Sequence, residues 1–191
     1  MGQLLLGLGL FFGIHSVSII AAPLRDRLAA QSALGWRAVY SVIALVGLVL
    51  MVRGYADLRL APTVLYVTPS WMRHLAALLL LPTFILFFAP YLPGRIKSVT
   101  KHPQLTAIKL WALAHLLVNG TLADVLLFGA FLAWAVADRI SLSKRVARPL
   151  STAPASQWND IILISVGLAL YAITVFWLHE KLIGVPPFLL R

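Results

Sequence analysis

Six apolar runs dominate the 191-residue chain: Leu4 to Ala22, Trp36 to Val52, His74 to Ala89, Leu105 to Val118, Leu122 to Ala137 and Ile161 to Leu178. A helix needs roughly 17–25 residues to cross the hydrocarbon of a bilayer, and most of these runs come near that length, the fourth being short. The runs therefore define an all-α fold, a polytopic helical membrane bundle with about six transmembrane helices. Composition agrees, since 61% of residues are hydrophobic and 12% charged with a mean hydropathy of +0.91. Soluble domains hold about 45–50% and about 25% respectively.

The charges sit where a membrane protein keeps them. Sixteen Lys and Arg oppose six Asp and Glu, and the positives fall in short loops rather than in a tail or on one helix face. That pattern suits lipid headgroup contact and argues against nucleic-acid binding. Arg25, Arg27, Arg37, Arg95, Lys97, Lys101, Arg139, Lys144, Arg145 and Arg148 fall on one side. Arg53, Arg59, Arg73, Lys181 and Arg191 fall on the other. The richer side is expected in the cytoplasm, with both termini periplasmic if the membrane is a bacterial inner membrane. The first run lacks a basic stretch before it and is read as a retained span. Residues 1–191 read as a single transmembrane domain, and residues 139–160 form its longest loop, rich in Ser, Pro, Ala and basic residues. Asn119-Gly120 is a tight-turn signal, so the fourth and fifth spans are expected to form an antiparallel hairpin.

Cysteine is absent, which excludes disulfides, thiolate-ligated iron, iron–sulfur clusters and covalent haem attachment. Any metal would rest on His, carboxylate, amide or hydroxyl groups. Five histidines are available. His74 and His179 fall at the outer ends of their spans and read as interfacial anchors. His102 precedes Pro103 at the start of span four, a good first helical residue because proline has no N–H to leave unpaired.

His15 and His115 lie deeper, about 10 Å and about 15 Å from the basic ends of their spans at 1.5 Å per residue, and are expected in one membrane layer. Ionisable groups at such depth are costly and mark sites by default. Gln104, Trp111, His115 and Asn119 recur at spacings of seven, four and four, which keeps them on one helical face. Gly9-x-x-x-Gly13 is expected to let another helix approach span one closely. Two such histidines without cysteine permit a b-type haem held from two helices, with Arg25, Arg37, Lys101 and Lys109 as candidate cations for its propionates. Lys109 also fits a lysine snorkelling to the interface. Interhelical hydrogen bonding by the two histidines and a proton or ion path are the other readings. Of the acids, Thr121-x-x-Asp124 reads as a capping pair, Asp138-Arg139 as the close of span five, and Asp160 as the polar start of span six.

The segments "LFFGIHSV", "KHPQLTAIKLWALAHLLVNG", "LADVLLFGAFLAWAVADR" and "LIGVPP" resemble the NnrU family of bacterial membrane proteins over nearly the whole chain. The resemblance implies a link with denitrification. That family is in turn similar to the zeta-carotene isomerases, which implies a b-type haem and cis–trans isomerisation of a hydrophobic small molecule. Residue by residue, the histidine of "GIHS" falls on His15 and that of "LWALAH" on His115, which the resemblance implies are the metal ligands, and the helical face shared with His115 would put Trp111 and Asn119 beside the cofactor. Relatives of the isomerase type can carry a cysteine near the second histidine. Here Ala112 and Ala114 stand there, so a thiol switch is excluded.

"KHPQ" before a span also resembles the "RHP" segment of the isoprenylcysteine and phospholipid methyltransferases. On that reading S-adenosylmethionine would bind at His102 and Arg139. A non-enzymatic haem-handling or transport protein is the third class.

Overall fold

The computed structural model describes residues 1–145 and 150–187. Arg148 and Arg191, both counted in the charge balance, lie outside the described residues. Secondary structure among the described residues is helical apart from turns and one isolated antiparallel bridge between Val64 and Thr121. Among the described residues five helical segments are long and apolar enough to cross a membrane, and Pro103–Val118 forms a sixth, shorter apolar helix. The chain is a multi-pass membrane protein. It divides into two compact units, residues 1–65 with 121–130, and residues 66–120 with 131–191.

The first unit is built on α1 (Gly2–Ile20), α2 (Ala22–Gln31) and α3 (Ala33–Leu60). A non-helical Ala21 separates α1 from α2, which carries Pro23 in its first turn, and Ser32 starts α3 by accepting a hydrogen bond from the Gly35 N–H at 3.0 Å. At 28 residues α3 extends well past the expected Trp36 to Val52, so Arg53 and Arg59, read as loop residues, are helical.

Helices α1 and α3 pack closely around Leu4, Leu8 and Met51. The contact is made where side chains are missing. A Cβ on Gly47 would lie 2.7 Å from the Phe11 nitrogen, and one on Gly54 would lie 2.8 Å from the Leu4 Cα. Gly7 faces the Gly47 carbonyl in the same way. In lipid, where apolar burial drives little association, such small residues let backbones meet and gain dispersion contacts. The expectation for Gly9 and Gly13 is overturned, because an added Cβ at either would meet nothing within 4 Å.

The second unit holds α4 (Met72–Leu80), α5 (Thr83–Phe88), α6 (Arg95–Thr100), α7 (Pro103–Val118), the later part of α8 (Leu122–Leu142), α9 (Asn159–Ile173) and α10 (His179–Ile183). The third apolar run is one spanning segment, Met72–Tyr91, as read, and it is kinked at Leu81-Pro82, where proline withholds an N–H and its ring disturbs the preceding turn. Both halves pack on α7, and α5 also packs on α9, where Gly167 comes against the Ile85 backbone. A π-helical turn over Thr174–Leu178 leads from α9 to α10. Helix α8 continues to Leu142, so Arg139 to Leu142 are helical rather than part of the connecting loop.

The α7–α8 connection is a tight turn, as the sequence indicated. Trp111 and Phe131, each ten residues from Thr121, meet edge-on with ring centroids 5.2 Å apart. That pairing is what an antiparallel hairpin requires. Tyr66 closes the turn end of α7. Its N–H donates to the Gly120 carbonyl at 3.1 Å, and its hydroxyl lies 2.5 Å from the Leu116 carbonyl and 2.9 Å from that of Asn119. These oxygens belong to the helix end whose carbonyls lack intrahelical donors. Gly120 is required here, since a Cβ would sit 2.8 Å from the Tyr66 ring. Tyr66→Phe is expected to cost about 1 kcal/mol, one hydrogen bond shared between two acceptors. A lowered apparent melting temperature with an unchanged helical circular dichroism spectrum would show it.

Candidate functional site

Local helix geometry sets the two deep histidines in the same way. His15 Nδ1 lies 2.6 Å from the Phe11 carbonyl, and His115 Nδ1 lies 2.8 Å from the Trp111 carbonyl, each four residues earlier on its own helix. A neutral imidazole bonded so carries its proton on Nδ1 and its lone pair on Nε2. Both rings are half-buried and lodged among aromatics. His15 stacks on Phe11 at 4.1 Å between centroids and lies 5.1 Å from Tyr40, while His115 lies 5.2 Å from the Trp111 ring. His15 belongs to the first unit and His115 to the second.

The residues expected beside them take definite positions. Trp111 supplies both the carbonyl that holds His115 and a ring against Phe131. The Asn119 side chain donates to the His115 carbonyl at 3.1 Å, reinforcing the Asn119 N–H bond to the same oxygen, so this amide is engaged in ending α7. The polar stripe of α7 is half-buried. The buried residues of α7 lie to either side of that stripe, Pro103, Ala107 and Ala114 on one side and Leu105 and Ala112 on the other.

The four candidate cations fall into two pairs. Arg25 and Arg37 line one cavity of about 510 Å³ in the first unit, together with Ser18, Trp36, Tyr40 and Ser41. Lys101 and Lys109 both act electrostatically on His102 in the second unit. His102 caps α7 ahead of Pro103, following a tight three-residue turn in which its N–H meets the Thr100 carbonyl at 2.5 Å across Lys101. Lys101 has φ 54°, a strained value for a residue with a Cβ. Burial, and then the Arg139 guanidinium, push His102 below the usual imidazole range, while Asp138 acts in the opposite direction. The structure thus brings His102 and Arg139 within electrostatic reach. The Asp138 carboxylate is taken up by an ion pair with Arg145.

Further polar contacts show what was hidden in the sequence. Asp160, read as the start of span six, accepts from the N–H groups of Arg95 at 2.8 Å and Ile96 at 3.3 Å and so caps α6. Buried Asn159 donates to the carbonyls of Pro93 at 2.8 Å and Pro154 at 3.0 Å. Both bonds gather the basic segments around Arg95 and the loop before α9 at one end of the second unit. Asp124 keeps its capping role with Thr121, but is also buried and accepts from the Tyr55 hydroxyl at 2.6 Å. The signal for this pair was a polar residue on the apolar stretch of each helix. His179 Nδ1 lies 2.6 Å from the Val185 carbonyl just past the end of α10, and His74 sits exposed in the first turn of α4.

Among the described residues no group of three or more His, Cys, Asp or Glu side chains could hold a metal ion. A metal centre built wholly from such protein ligands is therefore not assembled from them. A haem asks less of the chain, because the porphyrin supplies four nitrogens and two imidazoles complete the iron. The family model described as NnrU protein matches residues 3–187. No curated protein and no solved structure matches the chain.

Proposed function

The chain belongs to the NnrU family, and from that premise we propose that it is an inner-membrane protein binding a b-type haem, with His15 and His115 as axial ligands. One observation carries the reading. Both imidazoles are held by a backbone carbonyl at Nδ1, the arrangement that fixes a metal-ligating histidine and raises its basicity at Nε2. Each helix does this locally, so each ligand is oriented by its own span.

The propionates are assigned to Lys101 and Lys109, because Lys109 shares α7 with His115 and both lysines bear on the start of that helix. A long flexible stem lets lysine hold an anion near the interface while its methylenes remain in apolar surroundings. When bound, the iron would supply a one-electron couple suited to electron transfer in nitrogen-oxide respiration or to isomerising a hydrophobic substrate. The residues of the chain orient the imidazoles and set Phe11 and Tyr40 against His15 and Trp111 against His115.

The test is haem content of the purified protein and its variants. His15→Ala and His115→Ala are each expected to retain under about one tenth of the wild-type haem, since loss of even an outer-shell partner costs about 10–100-fold in metal affinity. His74→Ala and His179→Ala should retain it fully. Full haem in both of the first two variants would end the assignment. Binding of S-adenosylmethionine, lost on His102→Ala or Arg139→Ala, would instead favour the methyltransferase class, for which the proximity of those two residues is the supporting observation.

A further inference from the structure

We infer that the cavity between α1, α2 and α3 binds the phosphodiester of an anionic phospholipid. This goes beyond the haem reading and uses the pair of cations which that reading leaves unassigned. The lining residues that carry the argument are Ser18, Arg25, Trp36, Arg37, Tyr40 and Ser41. Two guanidiniums and the hydroxyls of Ser18, Tyr40 and Ser41 are groups that donate to phosphate oxygens, and no carboxylate is among the lining residues. Exposed Asp26 accepts a hydrogen bond from Arg25 Nη1 at 2.9 Å, which uses one of the five N–H donors of that guanidinium.

Position selects lipid as the source of the phosphate. The cavity lies where two apolar spans reach their polar ends, at the close of α1 and the opening of α3. Ile20 and Leu34, 83% and 79% exposed, stand at those same helix ends as apolar surface for acyl chains. Trp36 and Tyr40 are the amphipathic rings that settle at headgroup level. A volume of about 510 Å³ is that of a ligand-sized site, large enough for a phosphoglycerol headgroup. The basic side of the chain is also the side expected to face the anionic cytoplasmic leaflet.

The experiment uses the full chain in phosphatidylcholine nanodiscs carrying brominated-chain phosphatidylglycerol or brominated-chain phosphatidylcholine, with Trp36 quenching isolated by difference from Trp36→Phe. Phosphatidylglycerol should quench Trp36 at about twentyfold lower mole fraction than phosphatidylcholine. Each arginine contributes about fivefold of this preference, from roughly 1 kcal/mol per basic residue near an anionic surface. Arg25→Gln/Arg37→Gln should abolish it. If that double variant does not fold, Arg37→Gln should weaken the preference about fivefold and Arg37→Lys should restore most of it. Equal quenching by both lipids, or an undiminished preference in the arginine variants, overturns the proposal. So does relief of quenching by millimolar inorganic phosphate, which would make free phosphate the ligand. Loss of haem with unchanged lipid preference would give the arginines to the propionates and likewise overturn it, while leaving the histidine ligation standing.

Discussion

Gly54→Leu is expected to prevent α1 and α3 from packing, and to give a protein that is degraded on expression or melts far below the wild type. The reason is that the obstacle is backbone. A Cβ at Gly54 would lie 2.8 Å from the Leu4 Cα and 2.9 Å from the Gln3 carbonyl carbon, and neither atom can rotate away as a side-chain tip could. Overpacking usually costs about 1–3 kcal/mol when side chains can adjust. Here the helices must separate, which also uncovers Leu4 and Met51, so the loss should exceed about 3 kcal/mol. Gly9→Leu and Gly13→Leu provide the contrast, since open space lies beside both and their melting temperatures should stay near that of the wild type. Thermal unfolding of the three variants in one detergent decides the matter. A stable Gly54→Leu, or damage confined to Gly9 and Gly13, would show that the helices meet elsewhere.

Asp124→Ala should be the most damaging single removal of a polar group. The carboxylate is 4% exposed and serves three donors: the Tyr55 hydroxyl at 2.6 Å, the Thr121 N–H at 2.9 Å and the Thr121 hydroxyl at 2.6 Å. Alanine strands the tyrosine hydroxyl away from water and opens the capping box at the start of α8. The first effect costs about 1–3 kcal/mol and the second about 1 kcal/mol. The sum, roughly 3 kcal/mol, corresponds to a fall of about 6–12 °C in melting temperature at 2–4 °C per kcal/mol. Asp124→Asn keeps an acceptor for Tyr55 and should lose less than half as much. Exposed Asp57 on α3 is the control, and Asp57→Ala should change little. Equal melting of Asp124→Ala and Asp57→Ala would contradict the bond to Tyr55.

The spans were legible because hydrocarbon thickness imposes a length and a composition on any helix that crosses it. Helix ends were less legible, because a helix can continue through polar residues once it leaves the lipid. Thus α3 runs on through Arg53 and Arg59, and α8 through Arg139. The third run was legible as one span, but the kink at Leu81-Pro82 within it was not drawn from the apolar pattern, which continues through the proline. Glycine pattern alone chose the wrong residues of α1, since Gly9-x-x-x-Gly13 records spacing but not which face meets a neighbour. Gly7 instead meets Gly47 and Met51, forty residues or more away in sequence. The same distance hid Tyr55 from Asp124 and Arg95 from Asp160, while the local pairing of Thr121 with Asp124 was readable three residues apart. For the candidate site, depth and helical spacing were enough to single out His15 and His115. The carbonyl bonds that orient them could not be read without the helix geometry that supplies Phe11 and Trp111. Nor did the sequence separate the four cations into an arginine pair and a lysine pair, because each pair is assembled from different helices or turns.

The most direct test of haem ligation is a reduced and an oxidised visible spectrum of the detergent-purified wild type, expressed with ample haem supply. Two imidazole ligands are expected to give sharp reduced α and β bands of a six-coordinate b-type haem at about one haem per chain. A well-folded protein that remains colourless under those conditions would contradict haem binding by His15 and His115.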